Sequence, residues 1–175
     1  MVGALVSGCD EAEPVQTAPP ATTAAAATTS VDPSAGLWDP CTLPDSALSA
    51  AGLNTATKEK DVAGVAFEGW KVCAWQDSAK TYSFTIYASS HTLDEVRSRA
   101  DRTDFVTVRV GPYEGLQYRP SGSAHDAGCF ISLPIGSQMV DFSVLNRHSA
   151  RAVAKEACQE TRRLADALVQ NVPAH

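Results

Sequence analysis

Tyr82-Ser83-Phe84-Thr85-Ile86-Tyr87-Ala88 alternates between a row of apolar side chains and a second, more polar row. Successive side chains of a β-strand point to opposite faces, so a period of two indicates a strand with one buried face. Residues 82–88 are therefore predicted to form a half-buried strand, the clearest strand of the chain.

Short segments of similar character lie on both sides of this strand. They are predicted to pair as hairpins: residues 62–67 with 70–75, 106–110 with 113–118, and 129–133 with 140–144. Glu68-Gly69 suits a tight turn, whereas the polar residues 54–61 are predicted to be a loop. Most connections are too short for crossovers, so we expect an antiparallel sheet of six or seven strands.

Three segments carry apolar residues at helical spacing: residues 45–51, 91–102 and 149–169. Asp45 is expected to cap the first helix and Gly52 to end it. In the second helix, Glu95 and Arg99 are expected to form an i,i+4 ion pair. The third carries one apolar stripe, typical of a long C-terminal helix docked on a sheet. The predicted fold class is α+β, with helices packed on one face of the sheet.

Four cysteines lie in the part of the chain that is predicted to fold: Cys41, Cys73, Cys129 and Cys158. An even number in an exported domain indicates two disulfides, and three pairings are possible. Cys129 is predicted on the inward face of its strand and Cys158 on the apolar stripe of the last helix. We therefore expect Cys129–Cys158 and Cys41–Cys73. Structural zinc sites usually take cysteines in close pairs such as Cys-x2-Cys, so no metal site is predicted.

The N-terminus contains a fifth cysteine in Leu5-Val6-Ser7-Gly8-Cys9, a lipobox-like sequence of small residues before a cysteine. Residues 1–9 are predicted to be a truncated signal with its lipidation site at Cys9. A secretory signal carries a charged segment and an apolar run of roughly 7–15 residues, yet no Lys or Arg precedes Cys9. The alternative is a free cysteine in a disordered N-terminus.

Composition separates a tether from a folded domain. Residues 10–36 are rich in Ala, Thr and Pro and are predicted to be a disordered tether, while residues 37–175 are predicted to form one globular domain. The net charge of −6 disfavours nucleic acid, whose binding needs a basic face. No apolar run approaches the roughly 20 residues of a membrane-spanning helix, so membrane attachment is expected through lipid.

Aromatic residues suggest where a ligand binds. The candidate groove residues are Trp70, Trp75, Tyr87 and Tyr118, placed between the sheet and the C-terminal helix. The alternative is that at least one of the two tryptophans is core, because residues five apart on a strand fall on opposite faces. The sequence has no catalytic motif such as GxSxG or HExxH, so neither a catalytic residue nor a cofactor is predicted.

Asp39-Pro40-Cys41, then Cys73-Ala74-Trp75, then Cys129 and Cys158 follow one another over residues 37–172. This order and spacing resemble a family of actinobacterial envelope lipoproteins grouped only as a domain of unknown function. The resemblance implies a lipidated Cys9, a disordered linker, two disulfides and a sandwich of the Mog1/PsbP type.

Together these features predict a monomeric, non-enzymatic protein anchored by lipid to the outer face of the plasma membrane, where it binds another envelope or secretion component. The alternative is a carrier or sensor of a small apolar or glycolipid envelope ligand, held in the groove.

Overall fold

The computed structural model describes residues 33–150 and 156–174. The lipobox with Cys9 and nearly all of the predicted tether lie outside these residues. Residues 33–36 form a turn in which Ser34 is buried and its carbonyl accepts a hydrogen bond from the backbone N–H of Leu37.

One antiparallel sheet of seven strands organises the described residues, which confirms the predicted fold class. The strands are β1 (Leu53–Lys60), β2 (Trp70–Asp77), β3 (Tyr82–Ser89), β4 (Arg102–Val110), β5 (Tyr113–Pro120), β6 (Gly128–Ile135) and β7 (Gln138–Asn146). Their order across the sheet is β1-β2-β3-β7-β6-β5-β4. The long β3–β7 pairing, from Tyr82 opposite Asn146 to Ser89 opposite Met139, joins the first three strands to the last four.

The first strand differs from the prediction. β1 forms at residues 53–60, where a loop was expected, and pairs with β2. The predicted strand 62–67 is wrong, because only an isolated bridge between Val62 and Val65 forms there. β1 lies at the edge of the sheet and buries only Leu53, so its polar sequence carries no apolar alternation.

The first two helices are short. α1 (Asp45–Ala50) begins one residue after its N-cap, Pro44, so the prediction that Asp45 is the cap is wrong. Gly52, with φ +86°, follows α1 and ends it as predicted. α2 spans only Leu93–Arg97, because Ser98 already serves as its C-cap.

The ion pair predicted within α2 is also wrong. Glu95 contacts His91 (3.4 Å) and forms a capping box with Thr92, while Arg99 binds Asp101 at 2.8 Å. Arg99 lies beyond the last turn of α2, and its guanidinium pairs there with the carboxylate of Asp101 instead of with Glu95.

The C-terminal helix α3 (Ala157–Leu168) is followed by a 3-10 turn at Val169–Asn171. The predicted helix began at residue 149, but His148–Ala150 form a separate 3-10 turn and residues 151–155 lie outside the described residues. The buried face of α3 includes Cys158, Leu164 and Leu168.

The first face of the sheet, which we define as the face covered by α1 and α3, carries the main core. Its largest fully buried side chains include Trp75, Phe84, Phe142, Leu48 and Leu164. The two predicted disulfides are confirmed on this face: Cys41–Cys73 with an S–S distance of 2.00 Å and Cys129–Cys158 with 2.05 Å. Cys129–Cys158 links α3 directly to β6.

The second face is only partly covered. α2 packs on this face through Val96 against a small cluster formed by Leu116, Tyr118 and Met139, so the prediction that the helices lie on one face of the sheet is wrong for α2. Since α2 has only five residues, the helices within residues 33–150 and 156–174 leave much of this face uncovered.

Candidate binding groove

Beside α2, the second face holds three adjoining pockets of about 190, 150 and 240 Å³. All three share Trp70 and Arg102, so we treat them as one surface, the α2 groove. Its lining comprises Val62, Phe67, Trp70, Val72, Tyr87, His91, Glu95, Val96, Arg99, Arg102, Tyr118, Phe130, Met139 and Asp141.

A buried carboxylate, Asp141, lines two of the three pockets. It lies on the central strand β7, opposite Tyr87 on one side and Ser132 on the other. Its residue is 6% exposed, and Oδ1 has no hydrogen-bond partner among the described residues. Burial raises the pKa of Asp141 to about 6, although a hydrogen bond from Ser132 and the positive charge of Arg102 act in the opposite direction.

Two arginines border this carboxylate, and both are held by Asp101. Arg99 donates to the Asp101 carboxylate at 2.9 and 2.8 Å, and Arg102 Nη1 donates to the same group at 2.9 Å. The hydrogen bond from Arg99 is the largest cause that lowers the pKa of Asp101. Arg102 Nε, by contrast, is buried and finds no acceptor within the described parts of the chain.

Aromatic rings fix the position of the Arg102 guanidinium. Its Cζ lies 4.8 Å from the ring centroid of Phe130 and 5.8 Å from that of Tyr118, both within the range of cation–π contacts. Tyr118 is stacked on Phe130 at 5.3 Å, and its hydroxyl lies 3.0 Å from Ser132 Oγ. Burial, the largest cause, raises the pKa of Tyr118, so this hydroxyl is neutral at physiological pH.

Trp70 forms the wall of the groove. Its ring contacts Tyr87 edge-on at 6.2 Å and His91 at 4.9 Å, and it remains half-buried. Beyond Trp70 the groove becomes apolar, because Val62 and Phe67 line the third pocket and are 44% and 50% exposed. The α2 groove thus runs from a charged floor at Asp141 to an apolar rim.

The structure brings together three of the four predicted groove residues. Trp70, Tyr87 and Tyr118 meet on the second face, whereas Trp75 is 1% exposed in the core of the first face. The space between the sheet and α3, where the sequence placed the groove, is filled by that core.

Sequence reasoning missed Asp141 and Arg102, the two charged groups at the floor. A signal for Asp141 was present, since it is the only charged residue of β7 and lies between Val140 and Phe142. The sequence predicts Arg102 as the last residue of the second helix. In the structure it is the first residue of β4, because α2 already ends at Arg97.

The chain matches the model of a known protein family. The family described as a protein of unknown function (DUF3558) matches residues 4–171. The chain belongs to the DUF3558 family. This confirms the predicted membership of a family of unknown function, and the DUF3558 match includes the lipobox-like residues 5–9.

No curated protein and no solved structure shows significant similarity to this DUF3558 chain. The Mog1/PsbP likeness therefore stays a prediction. Among residues 33–150 and 156–174, no helix is both long and apolar enough to cross a membrane, and no group of three or more His, Cys, Asp or Glu side chains is arranged to hold a metal ion.

Proposed function

We propose that this DUF3558 protein is exported, anchored to the outer face of the plasma membrane through lipid on Cys9, and binds a small envelope ligand in the α2 groove without catalysis. The observation that carries the proposal is a ring-lined groove around the buried carboxylate of Asp141, whose Oδ1 has no hydrogen-bond partner among the described residues. Pockets with mostly apolar walls and a few placed polar groups are typical of small-molecule sites.

Two observations support the extracytoplasmic location. The two disulfides of the described residues favour an oxidising compartment, because thiols in the cytosol are usually kept reduced. The family match begins at residue 4, ahead of Cys9, so the lipobox-like sequence lies within the matched region.

Intact mass of the protein from the membrane fraction, with and without reductant, tests the location. We expect a diacylglycerol addition that is lost in Cys9→Ser, and a gain of two hydrogen atoms for each disulfide on reduction. Unmodified full-length chain in the cytosol with four free thiols at positions 41, 73, 129 and 158 would contradict the proposal.

Ligand binding is tested by native mass spectrometry of protein purified from membranes. We expect small molecules to co-purify with the wild type and to be lost in Trp70→Ala, which removes the wall of the groove. Tyr113→Ala is the matched control, because Tyr113 packs at the edge of the first-face core. Equal ligand content in both variants would place the site elsewhere.

A second candidate function is contact with another envelope or secretion component. The exposed apolar side chains of the segment before β2, Val62, Val65 and Phe67, favour it. Val65 is 58% exposed and does not line the groove. Val65→Ser therefore separates the two candidates: it weakens a protein contact at this segment and leaves ligand content unchanged.

A further inference from the structure

At the floor of the α2 groove, one buried hydrogen-bond acceptor and one buried donor lack partners. Asp141 Oδ1 lacks a donor and Arg102 Nε lacks an acceptor, considering all described residues. Both side chains line the same two pockets. Buried polar atoms without partners cost free energy, and in native proteins they often mark functional positions.

The chemistry of these two groups restricts what satisfies them both. A carboxylate only accepts hydrogen bonds and a guanidinium only donates them. A cationic ligand is attracted by Asp141 but repelled by Arg102. An anionic ligand is attracted by Arg102 but repelled by Asp141. A hydroxyl group both donates and accepts, so a head group with neighbouring hydroxyls satisfies both atoms and adds no charge.

The surroundings fit such a head group. Asp101 already pairs with Arg99 and Arg102, and Glu95 contacts His91, so the charged end of the groove is close to charge balance. Trp70 is shared by all three pockets and offers a flat ring for the apolar C–H face of a sugar.

The other end of the groove suits a hydrocarbon. Val62, Phe67 and Val72 join Trp70 and Tyr87 around the 240 Å³ pocket. Val62 and Phe67 are 44% and 50% exposed, and a bound hydrocarbon chain would remove their side chains from water.

We propose that the α2 groove binds an uncharged amphiphile with a sugar or polyol head, its hydroxyls against Asp141 and Arg102 and its hydrocarbon against Val62 and Phe67. This inference rests on the proposed ligand-binding function and names the class of ligand.

Three probes with the same octyl chain and different heads test it below their micellar concentrations: octyl glucoside, octyltrimethylammonium and nonanoate. Titrations followed by tryptophan fluorescence and by calorimetry give the affinities. We expect octyl glucoside to bind at least about tenfold more tightly than either charged probe, a difference that corresponds to about 1.4 kcal/mol.

Variants test which groove residues contact the head and which contact the hydrocarbon of the ligand. Asp141→Asn is expected to weaken octyl glucoside binding about tenfold, whereas Asp166→Asn on the exposed face of α3 leaves it unchanged. Phe67→Ser is expected to weaken octyl glucoside binding but to have no effect on binding of glucose. Circular dichroism and the unfolding midpoint verify that each variant is folded.

The outcomes separate the ligand class from the underlying function. Equal binding of all three probes, or tighter binding of a charged one, overturns the hydroxylated head while leaving a ligand groove in place. Failure of every probe to bind, together with no co-purifying ligand, overturns both proposals.

Discussion

The two faces of the sheet are built from the same strands but have opposite characters. The first face is closed by α1 and α3, fully buried at Phe84, Phe142 and Leu164, and joined by two disulfides. On the second face, the part of the chain that the structure describes supplies one five-residue helix, which leaves rings, arginines and a carboxylate around an open groove. The comparison indicates that the first face supplies stability, which allows the second to keep unsatisfied groups.

The largest effect is expected from a cavity in the first face. Phe142 is completely buried and lies 6.3 Å from Phe84. Phe142→Ala should lower the free energy of unfolding by about 3–5 kcal/mol, the range for a deleted core aromatic. Phe130→Ala, on the half-buried second face, should cost less than half as much in urea unfolding. Equal losses would show that the two faces do not differ in this way.

Removing a disulfide from the first face should have the next largest effect. Cys129→Ala with Cys158→Ala opens a bridge between residues 29 apart in sequence. We expect a loss of about 2–4 kcal/mol, because the unfolded chain regains conformational freedom. The measurement is the urea midpoint under non-reducing conditions. A loss below about 1 kcal/mol would mean that packing of α3 alone holds this face.

Asp141→Asn should act in the opposite direction, because it removes an unfavourable charge from the second face. The folded-state pKa of about 6 lies above the ordinary value of 3.8, so the carboxyl is harder to ionise in the folded protein. Ionisation therefore destabilises the wild type as pH rises from about 4 through 6. Above pH 7, Asp141→Asn should be more stable by about 2–3 kcal/mol.

That difference should disappear below about pH 4, where both proteins are uncharged at this position. Unfolding curves across the pH range test it, with Asp166→Asn as an exposed control that shows no such gain. Lower stability of Asp141→Asn at pH 8 would contradict the assignment of Asp141 as an energetic liability kept for binding.

The smallest effect concerns the helix that borders the groove. Thr92 Oγ1 accepts a hydrogen bond from the backbone N–H of Glu95, and the Glu95 carboxylate accepts one from the backbone N–H of Thr92. Thr92→Ala should cost about 1 kcal/mol. Amide hydrogen exchange should increase in Leu93–Arg97 and remain unchanged in α3. Faster exchange throughout the sheet would show that α2 supports the whole fold.

Sequence periodicity was informative wherever one face of an element is apolar and the other more polar. β3, the hairpins of β4–β7 and the disulfide partners follow from it, because Cys129 and Cys158 both fall on inward positions. β1 could not be predicted, since an edge strand with one buried residue has no apolar pattern. Residues 62–67 nearby have the apolar residues typical of a strand, including Val62 and Phe67, but do not form one.

The site was harder to predict than the fold. Trp70, Tyr87 and Tyr118 were identified as groove residues from their ring type alone, but which face they occupy depends on strand register. Arg102 and Asp141 are 39 positions apart in the sequence and meet only because β3, β7, β6, β5 and β4 lie in that order. No local sequence pattern indicates that these two residues line the same pockets.

Both outer strands of the sheet interrupt their own pairing. β1 shifts register between Asn54 and Glu59, and β4 does so between Thr103 and Val106, where Asp104 takes a positive φ. Irregular, charged borders of this kind discourage strands of neighbouring molecules from adding on. Many copies crowded on one surface should therefore stay separate, each with its groove free, instead of polymerising into a continuous ribbon.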